Sequence, residues 1–340
     1  MKNTRLFCRR GRRRSPGGGY LLLLPVLLVF SACSCSTDGS IQQILGKSVE
    51  APVFVDCRPV SSTEIVFKFT LPVRVVSLNF DPGVEAESVE EGREVKVTLA
   101  RPLEEGRKIT ADVLVEDSDR NSLNVIVPFR ARNDRMPAMV FNELRTEYTK
   151  PKAEFVEFLT RGSGNLGALR LFIAGHSLSK PVYEFSPAEV RAGEYIVLHL
   201  RTVEEGCVDE TGPNLNLSGG TDAQSTARDF WIPGSTRQLH KTDALWLMDQ
   251  DDRIIDAIVL CEKSTEWGKN NSAAAAEFLG ENGAWPADPA SAVSSAGTAN
   301  TRTICRDENL APAPRAENWY ITATSSATPG KPNSPKRYTP

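Results

Sequence analysis

The chain carries three histidines, His176, His199 and His240. None stands in a His-x-x-x-His or Cys-x-x-Cys spacing, which would bring two metal ligands onto one face. No Gly-x-Ser-x-Gly nucleophile turn, phosphate loop or dinucleotide turn occurs. Asp117-x-Asp119-x-Asn121 begins as a calcium loop begins, with oxygen ligands at alternate positions. A complete loop would place an acid near position 128, where Pro128 stands, so the run reads as a hairpin turn, and Asp249-Gln250-Asp251-Asp252 reads the same way. Glu154 and Glu157 lie three apart, on opposite faces of a strand, and cannot work as a facing acid/base pair. Asn142-Glu143 at a strand end reads as a structural hydrogen-bonding pair, with an active-site pair as the alternative. His199, on a strand, reads as a core-edge or surface residue rather than a ligand. The expectation is therefore no catalytic residue, no metal site and no cofactor.

The N-terminal layout points to export, and the seven cysteines fit an exported chain without making it a disulfide scaffold. Seven basic residues crowd positions 1–32 with no acid among them, and Tyr20 to Ala32 is an apolar stretch of 13 residues, too short to span a bilayer. Ser31-Ala32 before Cys33 resembles the lipobox of bacterial lipoproteins. That resemblance implies a signal peptide over 1–32, cleavage before Cys33, and acylation of Cys33, with ordinary secretion as the alternative. At roughly 0.8 kcal/mol per buried methylene, several acyl chains hold a protein that one would not. Residues 33–50 read as a polar tether. Of 40 basic and 43 acidic residues, those beyond position 32 sum to a formal charge of −10, so bulk attraction to nucleic acid is excluded. The remaining cysteines, Cys35, Cys57, Cys207, Cys261 and Cys305, are odd in number. A Cys261–Cys305 bridge at the base of an insertion and a set of free thiols are both open.

The elements that must position these residues are strands. Residues 51–134 hold short β-rich runs at 52–57, 64–70, 73–80, 94–99, 108–116 and 122–130, separated by Gly, Pro and Asp turns. Ile65, Phe67 and Phe69 share one face, and Val95, Val97 and Leu99 repeat the pattern. The order of these runs resembles bacterial Ig-like domains. Beyond the polar segment before Pro137, Met139-Val-Phe-Asn142-Glu143, Glu154-Phe-Val-Glu157-Phe, Asn318-Trp319 and Ala327-Thr-Pro-Gly-Lys-Pro-Asn333 resemble a lamin-tail domain over residues 137–333, with insertions at 201–241 and 262–302. The fold class expected is all-β: two β-sandwich, immunoglobulin-like domains in tandem after a lipoprotein signal peptide, with a disordered tail at 334–340.

This reading predicts a lipid-anchored protein of the cell envelope, at the outer membrane, held by its N-terminal acyl chains. It would bind a protein or glycan partner without catalysis and without nucleic acid. Phe230-Trp231, within the first insertion, is either a plug over the sandwich edge or an exposed binding anchor. The alternative function is an accessory metal-dependent hydrolase or nuclease built on Glu204, Glu205, Asp209, Glu210 and Asp222. Their spacing is irregular, and Gly206, Gly212, Gly219 and Gly220 predict a mobile loop there.

Overall fold

The computed structural model describes residues 50–263, 265–268 and 270–339; Cys33, Cys35 and the signal-like segment lie outside the described residues. The fold is all-β. In the first sheet system, β1 (Phe54–Pro59), β2 (Glu64–Asp81), β3 (Ala86–Glu90), β4 (Gly92–Leu99), β5 (Lys108–Glu116) and β6 (Ser122–Arg130) form antiparallel pairs in the order β3-β4-β2-β5-β6, with β1 also on β2. The runs at 64–70 and 73–80 prove to be one strand of 18 residues. Its first half pairs with β1 and β4, its second half with β5, and the β4 ladder breaks between Lys68 and Val73. Pro72 sits in that break, where its missing N–H deprives no ladder of a bond. Ile65, Phe67, Val95, Val97, Ala111, Val113 and Val115 are fully buried, so the period-2 alternation found in the sequence is the core face.

The second sandwich packs two main sheets. One has the order β14-β13-β8-β7-β18-β19, from β7 (Met139–Arg145), β8 (Phe155–Thr160), β13 (Tyr195–His199), β14 (Arg228–Trp231), β18 (Ile304–Arg306) and β19 (Trp319–Ile321). The other has the order β11-β10-β15-β16-β17, from β10 (Arg170–Ile173), β11 (Tyr183–Glu184), β15 (Asp243–Met248), β16 (Ile254–Cys261) and β17 (Val293–Ser294). A short pair, β9 (Gly164–Asn165) with β12 (Glu189–Val190), lies beside them. Phe141, Phe158, Phe185 and Phe230 belong with Leu245, Trp246 and Ile258 to one buried cluster, and Trp246 stacks on its cross-strand partner Phe172 at 5.2 Å. The second insertion holds a helix, α1 (Ser272–Glu281), whose Ala275 and Leu279 are buried, with the Phe278 ring 5.8 Å from Trp246.

The described residues make one compact unit with two hydrophobic clusters, one in each sandwich. The segment between them is tied down. Asn133, 2% exposed, donates from its side chain to the carbonyls of Asn165 and Gly167 at 2.8 Å each, and its N–H donates to Gln250 at 2.8 Å. Arg132 holds Asp251 through two bonds of 3.0 and 3.1 Å, and Arg135 holds Glu189 at 2.7 Å as well as Glu105. Gly106 and Gly167 touch across the junction: a Cβ on Gly106 would lie 2.4 Å from the Gly167 Cα.

Two expectations are corrected. Residues 334–339 are not a disordered tail: Thr322 and Arg337 form a bridge, Arg337 pairs with Asp307 at 2.7 Å, and Arg302 covers the Tyr338 ring at 4.1 Å. The first insertion is not a mobile glycine loop. Glu204 accepts from the Thr221 N–H at 2.7 Å, and Glu210 accepts from Leu217, Ser218 and Asp229 N–H groups at 2.9 to 3.0 Å.

Candidate functional site: a covered polar face

Strand β8 is buried at every position rather than at alternate ones, which requires cover on both faces. The inner face meets the other sheet. Over the outer face lie the first insertion and the segment of residues 327–333, and beneath that cover sit two polar clusters.

The first cluster joins β7, β8 and the chain's late segment. Glu143 on β7 stands directly opposite Glu157 on β8, at the bulge that displaces Asn142, and both carboxyls have 0% exposure. Cross-strand partners place their Cβ atoms about 5 Å apart. Glu143 accepts from Thr303 Oγ1 at 2.5 Å and from the Thr328 N–H at 3.1 Å. Glu157 accepts from Asn142 Nδ2 at 2.9 Å and from the Gly330 N–H at 2.5 Å. Asn142 Nδ2 also donates to Glu308 at 2.9 Å, and Asn333 donates its N–H to Glu308 at 3.1 Å and its side-chain amide to the Arg306 carbonyl at 2.9 Å. Burial, then the neighbouring Glu143 charge, pushes the Glu157 carboxyl well above the usual range; burial raises Glu143 despite the opposing Thr303 bond.

The second cluster is centred on His199 of β13. Its Nε2 lies 2.9 Å from Asp229 Oδ1, and its Nδ1 stands 3.8 Å from Asp222 Oδ2, too far for a hydrogen bond, so that attraction is electrostatic. The imidazole stacks on Trp231 at 3.7 Å. Arg145 binds Asp222 at 2.7 Å and the Ala153 carbonyl at 3.0 Å, with its guanidinium over the Phe155 ring. Burial opposes a charge on His199, yet the two aspartates outweigh it and raise the His199 pKa. Asp222 is lowered: burial opposes this, but His199 and Arg145 prevail. The arrangement clamps the insertion onto the sheet.

The sequence-expected residues fall into place around these clusters. Phe230 and Trp231 are 0% and 5% exposed, so the exposed-anchor role is corrected. They belong to β14, which pairs in parallel with β13; Phe230 packs against Tyr183 and Phe185 in the core, and Trp231 lies under His199. Asp209 accepts from the Trp231 N–H at 2.8 Å and from the Tyr183 hydroxyl at 2.5 Å, and Asp222 is bound to Arg145, so these insertion acids are engaged with separate partners rather than meeting at one point. Among the described residues no group of three or more His, Cys, Asp or Glu side chains is arranged to hold a metal ion. Asp117 accepts from the N–H groups of Asp119 and Asn121 at 2.9 and 2.8 Å, closing the β5–β6 hairpin, and Asp249 accepts from those of Asp251 and Arg253. Glu154 pairs with Arg201, away from Glu157. Cys261 and Cys305 are free, buried and on different sheets. Reasoning from the sequence separated Glu154 from Glu157 but missed that Glu143 faces Glu157; the signal present was an acid in each of two strands otherwise rich in buried apolar residues.

Open cavities lie elsewhere. One of about 380 Å³ at the junction of the sandwiches is lined by Arg58, Arg130, Arg132 and Arg170, with Glu184 and Asp251. Cys57 borders it; burial and the charge of Asp56 push its thiol up to about 12, so it stays protonated. Among the described residues no helix is long and apolar enough to cross a membrane.

An all-β sandwich with a late segment locked over one sheet is the class of domain these observations define. Residues 137–321 match the model of the family described as "TP_1001_2nd: protein second domain", and the chain belongs to that family. It is similar to an "Uncharacterized protein" of Treponema pallidum (strain Nichols), 30% identical over 162 residues; the match takes in 45% of this chain and 41% of the relative, less than half its length. Among solved structures, a DUF4876 family protein from Bacteroides thetaiotaomicron VPI-5482 shares 11% identity at a TM-score of 0.27, over 81% of this chain and 93% of that one.

Proposed function

We propose that this protein is a lipid-anchored component of the cell envelope, acylated at Cys33. An Ig-like sandwich and a lamin-tail-like sandwich would act together as a non-catalytic module that binds a protein or glycan partner. The observation that carries the reading is that the acids and the histidine best suited to chemistry are buried and engaged in fastening the insertion and the late segment to the sheet. The motif residues Asn142, Glu143, Glu157, Gly330 and Asn333, on which the lamin-tail resemblance rests, meet in one hydrogen-bonded network. What remains for a partner is open surface, and the cavity at the junction offers four arginines, of which Arg130, Arg132 and Arg170 pair with Glu184, Asp251 and Asp252 while Arg58 is exposed.

The test uses the mature protein and an Arg58→Glu variant, changed at an exposed guanidinium. The expected outcome is that the wild type retains an envelope protein or glycan from a defined panel and that the variant loses about tenfold in affinity, the effect of roughly 1.4 kcal/mol. Divalent-metal-dependent hydrolysis of a phosphodiester by the same preparation would overturn the non-catalytic reading. Labelled palmitate entering the wild type but not Cys33→Ala is the expected result for the anchor.

A further inference from the structure

Residues 327–333 cross the outer face of the second sandwich as a strap, and the groups that hold it are unusual fasteners. Two carboxyls, opposite each other on adjacent strands and both fully buried, take the strap's Thr328 and Gly330 N–H groups. Two carboxylates so placed repel, and each would lose its hydration; one proton between them relieves both costs. We propose that Glu143 and Glu157 share a single proton, and that losing it to solvent releases the strap and uncovers this face of the sheet, a proton-operated latch.

The groups packed around the pair do not remove the need for the proton. From β7, Arg145 acts on Glu143, but its guanidinium is already bound to Asp222 and the Ala153 carbonyl. Glu308, beyond β18, adds a third carboxylate against Glu157. Cys305 on β18 is kept a neutral thiol by burial and by the charge of Glu143. Tyr195 on β13 directs its hydroxyl to Glu308, and Tyr320 on β19 donates to the Ser334 carbonyl at 2.7 Å; both phenols are held neutral, first by burial. Thr303 and Asn142 are neutral donors. The Thr328 and Gly330 N–H groups favour the charged carboxyls, but burial and, at Glu157, the facing Glu143 charge outweigh them; with the pair fully ionised, lifting the strap readmits water to both carboxylates and relieves that cost. The sign follows from the raised pKa values: the strap is held fully below the ordinary carboxylate range and is lost as pH rises through the shared proton's higher pKa.

Hydrogen exchange of the full chain, expressed as protection relative to an unstructured peptide at each pH, reads this directly. From about pH 5 to about pH 9, protection at Thr328 and Gly330 is expected to fall at least tenfold, while amides of β15 and β16 hold theirs. Glu157→Gln and Glu143→Gln should each flatten the profile, since a neutral amide has no proton to lose; near-ultraviolet circular dichroism checks that each variant folds. Flat protection in the wild type overturns the latch, as does an equal fall in β15 and β16 or an unchanged profile in a folded variant. The wild-type profile decides even if both variants unfold.

Discussion

His199 stacks on Trp231, reaches Asp229 with one nitrogen and faces Asp222 with the other, all beneath the first insertion. A histidine whose pKa is raised on folding stabilises fully below its unfolded value of about 6.5, and that contribution is lost as pH climbs through the higher folded value. Comparing the wild type with His199→Gln at each pH isolates the titration of His199 together with that of Asp222 and Asp229, the two acids coupled to it. The wild type should be more stable by about 3 kcal/mol near pH 5, because the variant removes the charged partner of Asp229 and leaves it the Gln224 N–H, and the gap should narrow steadily towards alkaline pH. Urea titrations of both proteins at several pH values measure it; a gap constant in pH would show that His199 is neutral throughout. At this scale the sequence was legible only in part. Ile65, Phe67 and Phe69 alternate and are core. Glu143, Arg145, Glu157 and His199 also alternate, and alternation assigns them to solvent. Their cover comes from residues 222–229 and 328–330, too distant in the chain for any local pattern to show.

The strap and the first insertion are irregular in backbone yet fixed by what they touch. Gly330 adopts φ +76°, and a Cβ there would stand 2.9 Å from Thr226 Oγ1 and 3.1 Å from the Ala227 Cβ, so the glycine allows strap and insertion to lie against one another. Gly330→Ala should therefore cost about 1–3 kcal/mol, from the left-handed backbone and the crowding together, and thermal melting of the second sandwich reads it. An alanine tolerated without loss would mean that the strap bears little of the fold's stability. The strands themselves were legible from period-2 alternation and turn residues. Strand β14 was not, because Arg228-Asp229-Phe230-Trp231 is buried on both sides and carries no alternation, so it passed for loop between glycines. The helix α1 hid in an Ala/Ser-rich run that reads as low complexity until Trp246 and Trp285 are seen to need its apolar side.

Across the whole molecule, two apolar cores meet through a polar seam rather than a shared core. The sequence placed a boundary near Asn133 because the segment is polar and precedes Pro137; it did not show that the same polar groups grip both sides. Gly106, at φ +69°, permits a close backbone approach to Gly167 in the seam. Gly106→Ala should prise the two sandwiches apart, turning a segment resistant to trypsin at Arg132 and Arg135 into a cleavage site, while each core keeps its own melting transition. Continued resistance in the variant would show that the arginine pairs hold the seam without the glycine contact. The strap, finally, bears on how the protein is made. Glu143 and Thr328 are 185 positions apart, so during synthesis β7 and β8 emerge with their paired acids long before the amides that cap them exist. The second sandwich can therefore seal only when nearly all of it has left the ribosome, and a message truncated before codon 328 yields a sheet with two uncapped acids on its face, a substrate for quality-control proteases rather than a shorter working protein.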